Sequence, residues 1–563
     1  MSLYPAVPVA ASPAAVPGGW PPEVGGVRLV AVRAADLRSP LRRPLREGDR
    51  TALTAAGGEK IRTGNLVVFC KPVAVAPAVV RRDGRVQAGG HPADHARLGI
   101  IEQQLDEMTG QPGTIGQVAA QVRLQGKVKG TARRSMTMAA ALRAVLLMAL
   151  MPEAGYGEIL AGLFGDLPLV PWHVPFAVPT DTVLATWRDA AGPEPVLRLQ
   201  DMVLAASAGE HEEHDYRALC IGDLHLGSID GSVTRMPDTP ANRAEFGSAG
   251  TSDDSAPYPQ LRDLLVTDAF TRGTLGVVTG PSGGDKAEAE QALLDRAVLE
   301  YAGVFTRRRL WVLDRNFPGV ARLRKMITVT HVLVRLKSDI TVTKVGEFLP
   351  DGSYMADIGG KDGKIRMRVI EYHVEVEGQD VPEMFCLATD LDDWHAYPAG
   401  VLAAAYKWRW DGSETALREA KAPLRGAGPG TGPMLRSCSP GLVRQELAAW
   451  AIAVGLTRGV LRDAALAAAP ARKGHRAGQA VRPRDLSCAR AVRAVLSAIR
   501  LGRRCYQAVT SEIAACRNVV DRSRHRARKS KSPSTFGHAG PADTVTRIAA
   551  AVITMANIPS LTS

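Results

Sequence analysis

The stretch Leu310-Trp-Val-Leu-Asp-Arg-Asn-Phe-Pro-Gly319 contains the clearest strand-to-loop transition in this chain. Its apolar run predicts a buried strand over residues 309–313, because a short apolar run bounded by turn residues is typical of a strand covered on both faces. The strand ends at Asp314, and a short helix is predicted over residues 317–327. Asp314 is therefore a candidate functional residue at the end of a buried strand.

A second aspartate, Asp230, lies inside an upstream apolar run, Leu226-Gly-Ser-Ile-Asp-Gly-Ser-Val233. Glycines bound the centre of this run, and a strand is predicted around Ile229-Asp230 within residues 219–236. Asp230 and Asp314 thus have similar settings, although 84 residues separate them.

The elements between the two aspartates have an informative order. Strands are predicted over residues 261–271 and 274–279, and a helix over residues 286–301. The order strand-strand-strand-helix-strand-helix is that of an RNase H-like core. In such a core the first and fourth strands lie side by side, which would bring Asp230 and Asp314 together.

The chain continues with a β-rich segment and a helix. Residues 331–384 alternate between apolar and polar side chains and contain glycine turns, which predicts a β-rich insertion. Residues 384–389 are then expected to form the fifth core strand, and residues 398–421 the helix that carries Glu414. The fold class is therefore α+β or α/β, with a mixed-sheet catalytic core.

A third stretch, Tyr406-Lys-Trp-Arg-Trp-Asp-Gly-Ser-Glu-Thr-Ala-Leu-Arg-Glu-Ala-Lys421, combines aromatic, basic and acidic side chains. Glu414 and Lys421 are seven residues apart and share one face of a helix. A carboxylate can hold a metal ion, cations can hold phosphates, and an aromatic ring can stack on a base. The alternative is a solvated helix with regularly spaced charges.

Together the three stretches resemble the insertion-sequence transposases of the DDE class, in the branch marked by a Tyr-Arg-Glu-Lys signature, the insertion sequence 4 family. The ordered acids Asp230, Asp314 and Glu414 correspond to the three carboxylates of that class. The segment Leu435-Arg-Ser-Cys-Ser-Pro-Gly-Leu-Val-Arg-Gln-Glu-Leu447 is similar to the downstream segment of the family. The resemblance covers residues 130–460.

The resemblance implies an enzyme that cleaves at the terminal inverted repeats of an insertion sequence and joins the 3′ ends to target DNA. It implies two Mg²⁺ or Mn²⁺ ions at Asp230, Asp314 and Glu414, because two metal ions can stabilise both the attacking and the leaving oxygen. We expect Asp230 to bridge the ions. Double-stranded DNA is the expected partner, with a homodimer in the DNA complex.

The resemblance also assigns residues to DNA binding. Tyr406, Arg409 and Lys421 would bind phosphates of the transposon end. A base flipped out near the cleavage point needs a stacking surface. Trp394 is the candidate for it, and Trp408 is the alternative.

The chain departs from the family at one point. Four residues separate Arg409 from Glu414, where the family has three. On an unbroken helix this turns the arginine away from the glutamate. A π-bulge at Asp411-Gly412 can absorb the extra residue, or Ser413 can cap a new helix. Glu419 is the competing third acid, but Glu414 keeps the spacing of the family to the lysine.

Composition agrees with a DNA-binding protein. The 563 residues carry a formal net charge of +13, which indicates a polyanionic partner, and most of the surplus lies between residues 472 and 531. The seven cysteines have no Cys-x-x-Cys spacing, so reduced thiols in a cytoplasm are expected. The apolar run at residues 136–151 is interrupted by Arg143 and predicts a buried helix rather than a membrane span.

Six regions are predicted from these patterns. They are a poorly ordered Pro/Arg-rich region (1–93), a helical DNA-end-binding domain with a basic link at 127–134 (94–215), the core in two parts (216–330 and 385–462), the β-rich insertion (331–384), and a basic helical or disordered tail (463–563). Two other functions stay open: a metal-dependent nuclease without strand transfer, and a DNA-binding relative without catalysis.

Overall fold

The structure is a computed structural model, and it describes only part of the chain in detail. The described residues are 30–33, 66–69, 78–80, 86–88, 91–165, 167–169, 176–213, 221–247, 258–283, 288–360, 363–376, 383–409, 412, 416, 419, 434–470, 478, 481–501, 505–516 and 551–555. Among the predicted sites, Glu414, Lys421 and the most basic run of the tail, residues 522–531, lie outside these ranges.

The described residues form both strands and helices. The strands are β1 (Val30–Arg33), β2 (Leu66–Phe69), β3 (Ala78–Val80), β4 (Val86–Ala88), β5 (His225–Arg235), β6 (Gln260–Asp268), β7 (Thr274–Pro281), β8 (Arg309–Leu313), β9 (His331–Arg335), β10 (Thr341–Phe348), β11 (Tyr354–Gly360), β12 (Gly363–Val376), β13 (Glu383–Thr389) and β14 (Ala551–Met555). The helices are α1 (Ile100–Thr109), α2 (Thr114–Ala120), α3 (Gly130–Ser135), α4 (Met138–Leu150), α5 (Tyr156–Phe164), α6 (Asp181–Ala191), α7 (Glu194–Glu213), α8 (Pro240–Phe246), α9 (Glu290–Glu300), α10 (Val320–Val329), α11 (Ala399–Tyr406), α12 (Pro440–Ala467), α13 (Cys488–Arg500) and α14 (Tyr506–Ala514).

The chain divides into two compact units. The first comprises Met1–Asp201, Arg444–Leu456 and Val492–Val509, and the second comprises Met202–Val443, Thr457–Ala491 and Thr510–Ser563. Within the described residues, no helix combines the length and the apolar composition needed to cross a bilayer.

The first unit is helical around α4, which corresponds to the predicted buried helix. Thr137 begins α4 by accepting a hydrogen bond from the backbone N–H of Ala140 through its hydroxyl at 3.3 Å. Arg143 is only 2% exposed, and its Nε donates to Oε1 of Glu102 at 2.7 Å. This ion pair explains how an arginine fits inside an apolar helix, because a buried charge needs a partner of opposite sign.

The second unit is a mixed α/β structure built on one large sheet. The strand order is β10-β11-β12-β13-β9-β8-β5-β6-β7, and β14 pairs separately with β12. The pairs β5/β8 and β8/β9 are parallel, whereas the other pairs are antiparallel. β8 is buried along its whole length, as its apolar sequence predicts.

The two faces of this sheet pack on different helices. Side chains alternate along a strand, so Trp311 and Leu313 of β8 pack with α9 and α10, on what we call the α9/α10 face. Leu310 and Val312 pack with α11, on the α11 face. Each face therefore has its own hydrophobic core.

The strand that pairs with β8 differs from the strand that was expected to follow it in the core. β9 lies inside the segment 331–384 that was predicted as an insertion, yet it is the parallel neighbour of β8. β13, predicted as the fifth strand, pairs antiparallel with β9 and β12. The helix α10 connects β8 to β9, as a parallel pair requires. The short run His331-Val-Leu-Val-Arg335 has no local feature that distinguishes a core strand from a strand of an insertion.

Candidate active site

Asp230 and Asp314 lie level with each other on neighbouring strands. The parallel register pairs Ser228 with Val312, so two residues further along Asp230 faces Asp314. Adjacent strands are about 4.8 Å apart. Alternation from Leu310 and Val312 places Asp314 on the α11 face, and Asp230 follows Leu226 onto the same face. The two predicted acids are therefore adjacent.

Both aspartates are half-buried. Oδ1 of Asp230 accepts a hydrogen bond from the backbone N–H of Gly231 at 2.9 Å. Asp314 follows the last residue of β8, and its carbonyl oxygen accepts from the N–H of Phe317 at 3.0 Å. These hydrogen bonds fix the main chain at the two aspartates.

Arg335 is a functional candidate that the sequence analysis missed. The register pairs Leu313 with Val334, so Asp314 faces Arg335 on the next strand, again on the α11 face. Its guanidinium carbon lies 3.9 Å from the ring centroid of Phe385. The sequence did not predict that β9 pairs with β8. That pairing places Arg335, the last residue of β9, beside Asp314.

Tyr406 and Arg409 belong to the same cluster. Tyr406 ends α11, is 3% exposed, and its ring centroid lies 6.1 Å from that of Phe385. Arg409 is buried, with its guanidinium carbon 5.8 Å from the Tyr406 ring. Burial raises the pKa of Tyr406 to about 12; Arg409 opposes this rise and Asp314 adds to it. The phenol is therefore protonated at neutral pH and can donate a hydrogen bond.

Gly412 is the described residue closest in sequence to Glu414 on its N-terminal side. It has π-helical conformation, whereas Asp411 and Ser413, on which the two explanations of the extra residue depend, lie outside the described residues. Its carbonyl oxygen accepts from Oγ1 of Thr267 at 2.8 Å. A Cβ atom at Gly412 would lie 2.6 Å from Oγ of Ser228, so only glycine fits. Ser228 precedes Asp230 by two residues on β5, which puts Gly412 against the acid-bearing face.

Glu419, the competing third acid, is held by two arginines. Its Oε1 accepts from Arg272 Nη1 at 2.9 Å and its Oε2 from Arg458 Nη2 at 2.8 Å. Burial alone would raise the pKa of Glu419, but Arg458 and Arg272 outweigh it and hold the pKa below its usual value. Because each oxygen already has a guanidinium partner, the carboxylate is an anchor in this arrangement.

The two tryptophans predicted to stack on a flipped base pack against other protein side chains. Trp394 lies in the loop after β13, half-buried, with its ring centroid 3.5 Å from that of His395. Trp408 packs on Phe270 at 5.4 Å and under the guanidinium of Arg484 at 3.9 Å. Phe385, in contrast, contacts both Arg335 and Tyr406. Its ring also stacks on that of Tyr372 with the centroids 5.2 Å apart, so Phe385 is packed between Tyr372 and Arg335.

The donor set fits a hard divalent cation. Asp230 and Asp314 supply carboxylate oxygens from adjacent strands, and Mg²⁺ and Mn²⁺ prefer such ligands. Within the described part of the chain, no group of three or more His, Cys, Asp or Glu side chains converges on one point. The pair would supply two ligands of the predicted set, whose third member, Glu414, is outside the described ranges.

Comparison with known proteins relates the chain to transposases. No protein-family model matches it. It is 24% identical over 303 residues to "Transposase InsG for insertion sequence element IS4" of Escherichia coli strain K12, and the match covers 52% of this chain and 62% of that protein. A structure described as "Cryo-EM structure of piggyBac transposase synaptic complex with hairpin DNA" aligns with a TM-score of 0.36 and 11% identity, over 74% of this chain and 80% of that one. The chain is thus similar in sequence to a transposase over half its length.

Proposed function

We propose that this chain is a DDE transposase that cleaves DNA at the terminal inverted repeats of an insertion sequence and joins the 3′ ends to target DNA. The observation that carries the proposal is the pairing of Asp230 with Asp314 on one face of the sheet. The sequence similarity to an insertion-sequence transposase supports the same conclusion.

The strand order supports an RNase H-like core. β5, β6 and β7 form an antiparallel meander, and β8 and β9 continue the sheet in parallel on the other side of β5. The first and fourth strands of such a core are adjacent, as β5 and β8 are. β10 to β13 then form the β-rich insertion, which follows the fifth strand of the core.

Asp230, Asp314 and Glu414 are the proposed ligands of two divalent cations. When bound, such cations neutralise charge on a phosphodiester and lower the pKa of bound water. No side chain needs to act as a covalent nucleophile in this reaction. Water attacks first and frees a 3′-OH, which then attacks the target DNA.

The remaining polar groups of the site suit the substrate. Arg335 and Arg409 are cations on the acid-bearing face, and guanidinium groups bind phosphate oxygens through paired hydrogen bonds. Tyr406 keeps its proton at neutral pH and donates to a phosphate oxygen. Lys421 adds a further cation by resemblance. Trp394 stays the proposed stacking surface for a flipped base, with Trp408 as the alternative.

The test is cleavage of a labelled duplex that carries the end of the element, with Mg²⁺ or with EDTA. The proposal predicts Mg²⁺-dependent nicking at the end, followed by joining to a supercoiled target. Two copies of the chain would be needed to pair two ends. Nicking without joining would favour the nuclease, and binding without nicking in any metal would favour the inactive relative.

A further inference from the structure

Trp408 lies between an aromatic ring and a guanidinium. The Phe270 ring meets it edge-on with the centroids 5.4 Å apart, and Arg484 covers it at 3.9 Å. Phe270 belongs to the turn at residues 268–273, which joins β6 to β7. Trp408 is thereby fixed six residues before Glu414.

The same turn contacts Gly412. A Cβ atom at Gly412 would lie 2.6 Å from Cα of Ala269, so the two main chains are in direct contact. Thr267, immediately before the turn, binds the carbonyl of Gly412. This second contact is two residues before Glu414.

A third contact from the turn lies after Glu414. Arg272 binds Oε1 of Glu419, and Arg458 of α12 binds the other oxygen. The side chains of both arginines are less than a tenth exposed, so water screens these pairs weakly. The turn therefore contacts the chain on both sides of the predicted third acid.

The turn itself is held in one conformation. Oδ1 of Asp268 accepts from the N–H groups of Phe270 and Thr271 at 2.9 and 2.8 Å. Arg272 has a φ of +58°, a left-handed conformation that residues other than glycine adopt rarely. A turn with one conformation can hold the residues that it contacts in one position.

We propose that the β6–β7 turn positions the chain segment that carries the third acid, because the turn contacts Gly412 and because Arg272 and Arg458 hold Glu419. This inference rests on the proposed function, in which Glu414 is the third metal-binding carboxylate. Arg272 is then a positioning residue, and Glu419 is its anchor rather than a metal ligand.

The test variant is Arg272→Gly. Glycine adopts a positive φ freely, so the substitution removes the guanidinium without straining the turn. We expect the Mn²⁺ concentration needed for half-maximal end cleavage to rise about tenfold or more, as for residues that orient metal ligands. Binding of the end DNA in EDTA should not change. Arg243→Ala, which breaks an exposed pair with Asp238, is the matched control.

A second readout does not depend on activity. Hydrogen exchange followed by mass spectrometry should show faster exchange between residues 408 and 419 in Arg272→Gly, and unchanged exchange in β5 and β8. Arg272→Lys should recover part of the Mn²⁺ response, because it keeps the charge but loses the planar fork. Glu419→Gln, which is nearly isosteric, should also raise the required Mn²⁺ concentration, because it removes the charge that Arg272 and Arg458 bind.

The outcomes distinguish a failure of the positioning role from a failure of the proposed function. A wild-type chain that does not nick the end in any metal would overturn the proposed function. A wild type that nicks, with Arg272→Gly showing the same Mn²⁺ response and the same exchange, would overturn only the positioning role. Loss of cleavage at every Mn²⁺ concentration in Glu419→Gln would make Glu419 a metal ligand and also overturn it.

Discussion

On β5 and β8, successive side chains lie on opposite faces of one sheet. Ile229 and Leu313 are fully buried with α9 and α10. Their neighbours Asp230 and Asp314 are half-buried on the α11 face. A shift of one residue in either strand would exchange the two sets. The buried face fixes the register, and the register in turn sets the acids side by side.

The comparison also separates two kinds of residue. On the α9/α10 face, Trp311 is 0% exposed and stacks on Phe305 with ring centroids 4.5 Å apart. Such a residue contributes stability. On the α11 face Asp230 and Asp314 are only half-buried, so their loss should affect chemistry more than folding.

The largest expected effect is on the acid pair. Asp314→Asn and Asp230→Asn should each lower end cleavage by about a thousandfold or more, because a lost metal ligand removes several kcal/mol of charge stabilisation. Single-turnover cleavage with Mg²⁺ measures this loss. Both variants should keep the melting temperature and the end affinity of the wild type.

Asp357→Asn is the control for these variants. Asp357 pairs with Arg366 on the exposed part of the β-rich segment, with its Oδ1 2.6 Å from Nε of the arginine. It should cleave like the wild type. Cleavage at a wild-type rate by either acid-pair variant would remove that residue from the site.

On the opposite face, Trp311→Ala should destabilise the second unit by about 3–5 kcal/mol, the usual cost of emptying a buried aromatic site. Urea unfolding measures the change. The indole Nε1 of Trp311 is buried without a hydrogen-bond partner among the described residues, so Trp311→Phe should cost much less. Equal destabilisation by both variants would contradict the packing role of the large ring.

A smaller effect is expected at Trp394. Base-aromatic stacking is worth about 1–3 kcal/mol, so Trp394→Leu should slow cleavage roughly tenfold or more without altering the sheet. A fluorescent base analogue at the cleavage point should lose its stacking-dependent quenching. Trp408→Leu is the comparison, and a larger loss there would favour the alternative stacking surface.

The smallest effect concerns pH. The pKa of Glu419 is lowered in the folded chain from its usual 4.5, so the ionised carboxylate stabilises the fold above that pH. This contribution is lost as pH falls through the lowered value. Relative to Glu419→Gln, the wild type should be more stable to urea at pH 7 and should lose that advantage below pH 4.5. A constant difference at all pH values would contradict the ion pairs.

The two strands next to the aspartates were predictable from local sequence patterns. The apolar run before Asp314 and the glycine-bounded run around Asp230 specify strands, and the element order makes those strands neighbours. Arg335 was missed because the role of β9 depends on which strand it pairs with. The neighbours of Glu419 were also missed, because Arg272 and Arg458 are distant in sequence. Trp394 was chosen by residue type alone, and it stays a prediction.

The most direct test of the central claim is metal-directed cleavage of the protein itself. Fe²⁺ bound in place of Mg²⁺ generates radicals with ascorbate and peroxide, and these cut the main chain beside the ligands. The account predicts cuts next to Asp230, Asp314 and Glu414, all suppressed by excess Mg²⁺ and by Asp314→Asn. Cuts elsewhere, or cuts unaffected by that substitution, would contradict a metal site on the α11 face.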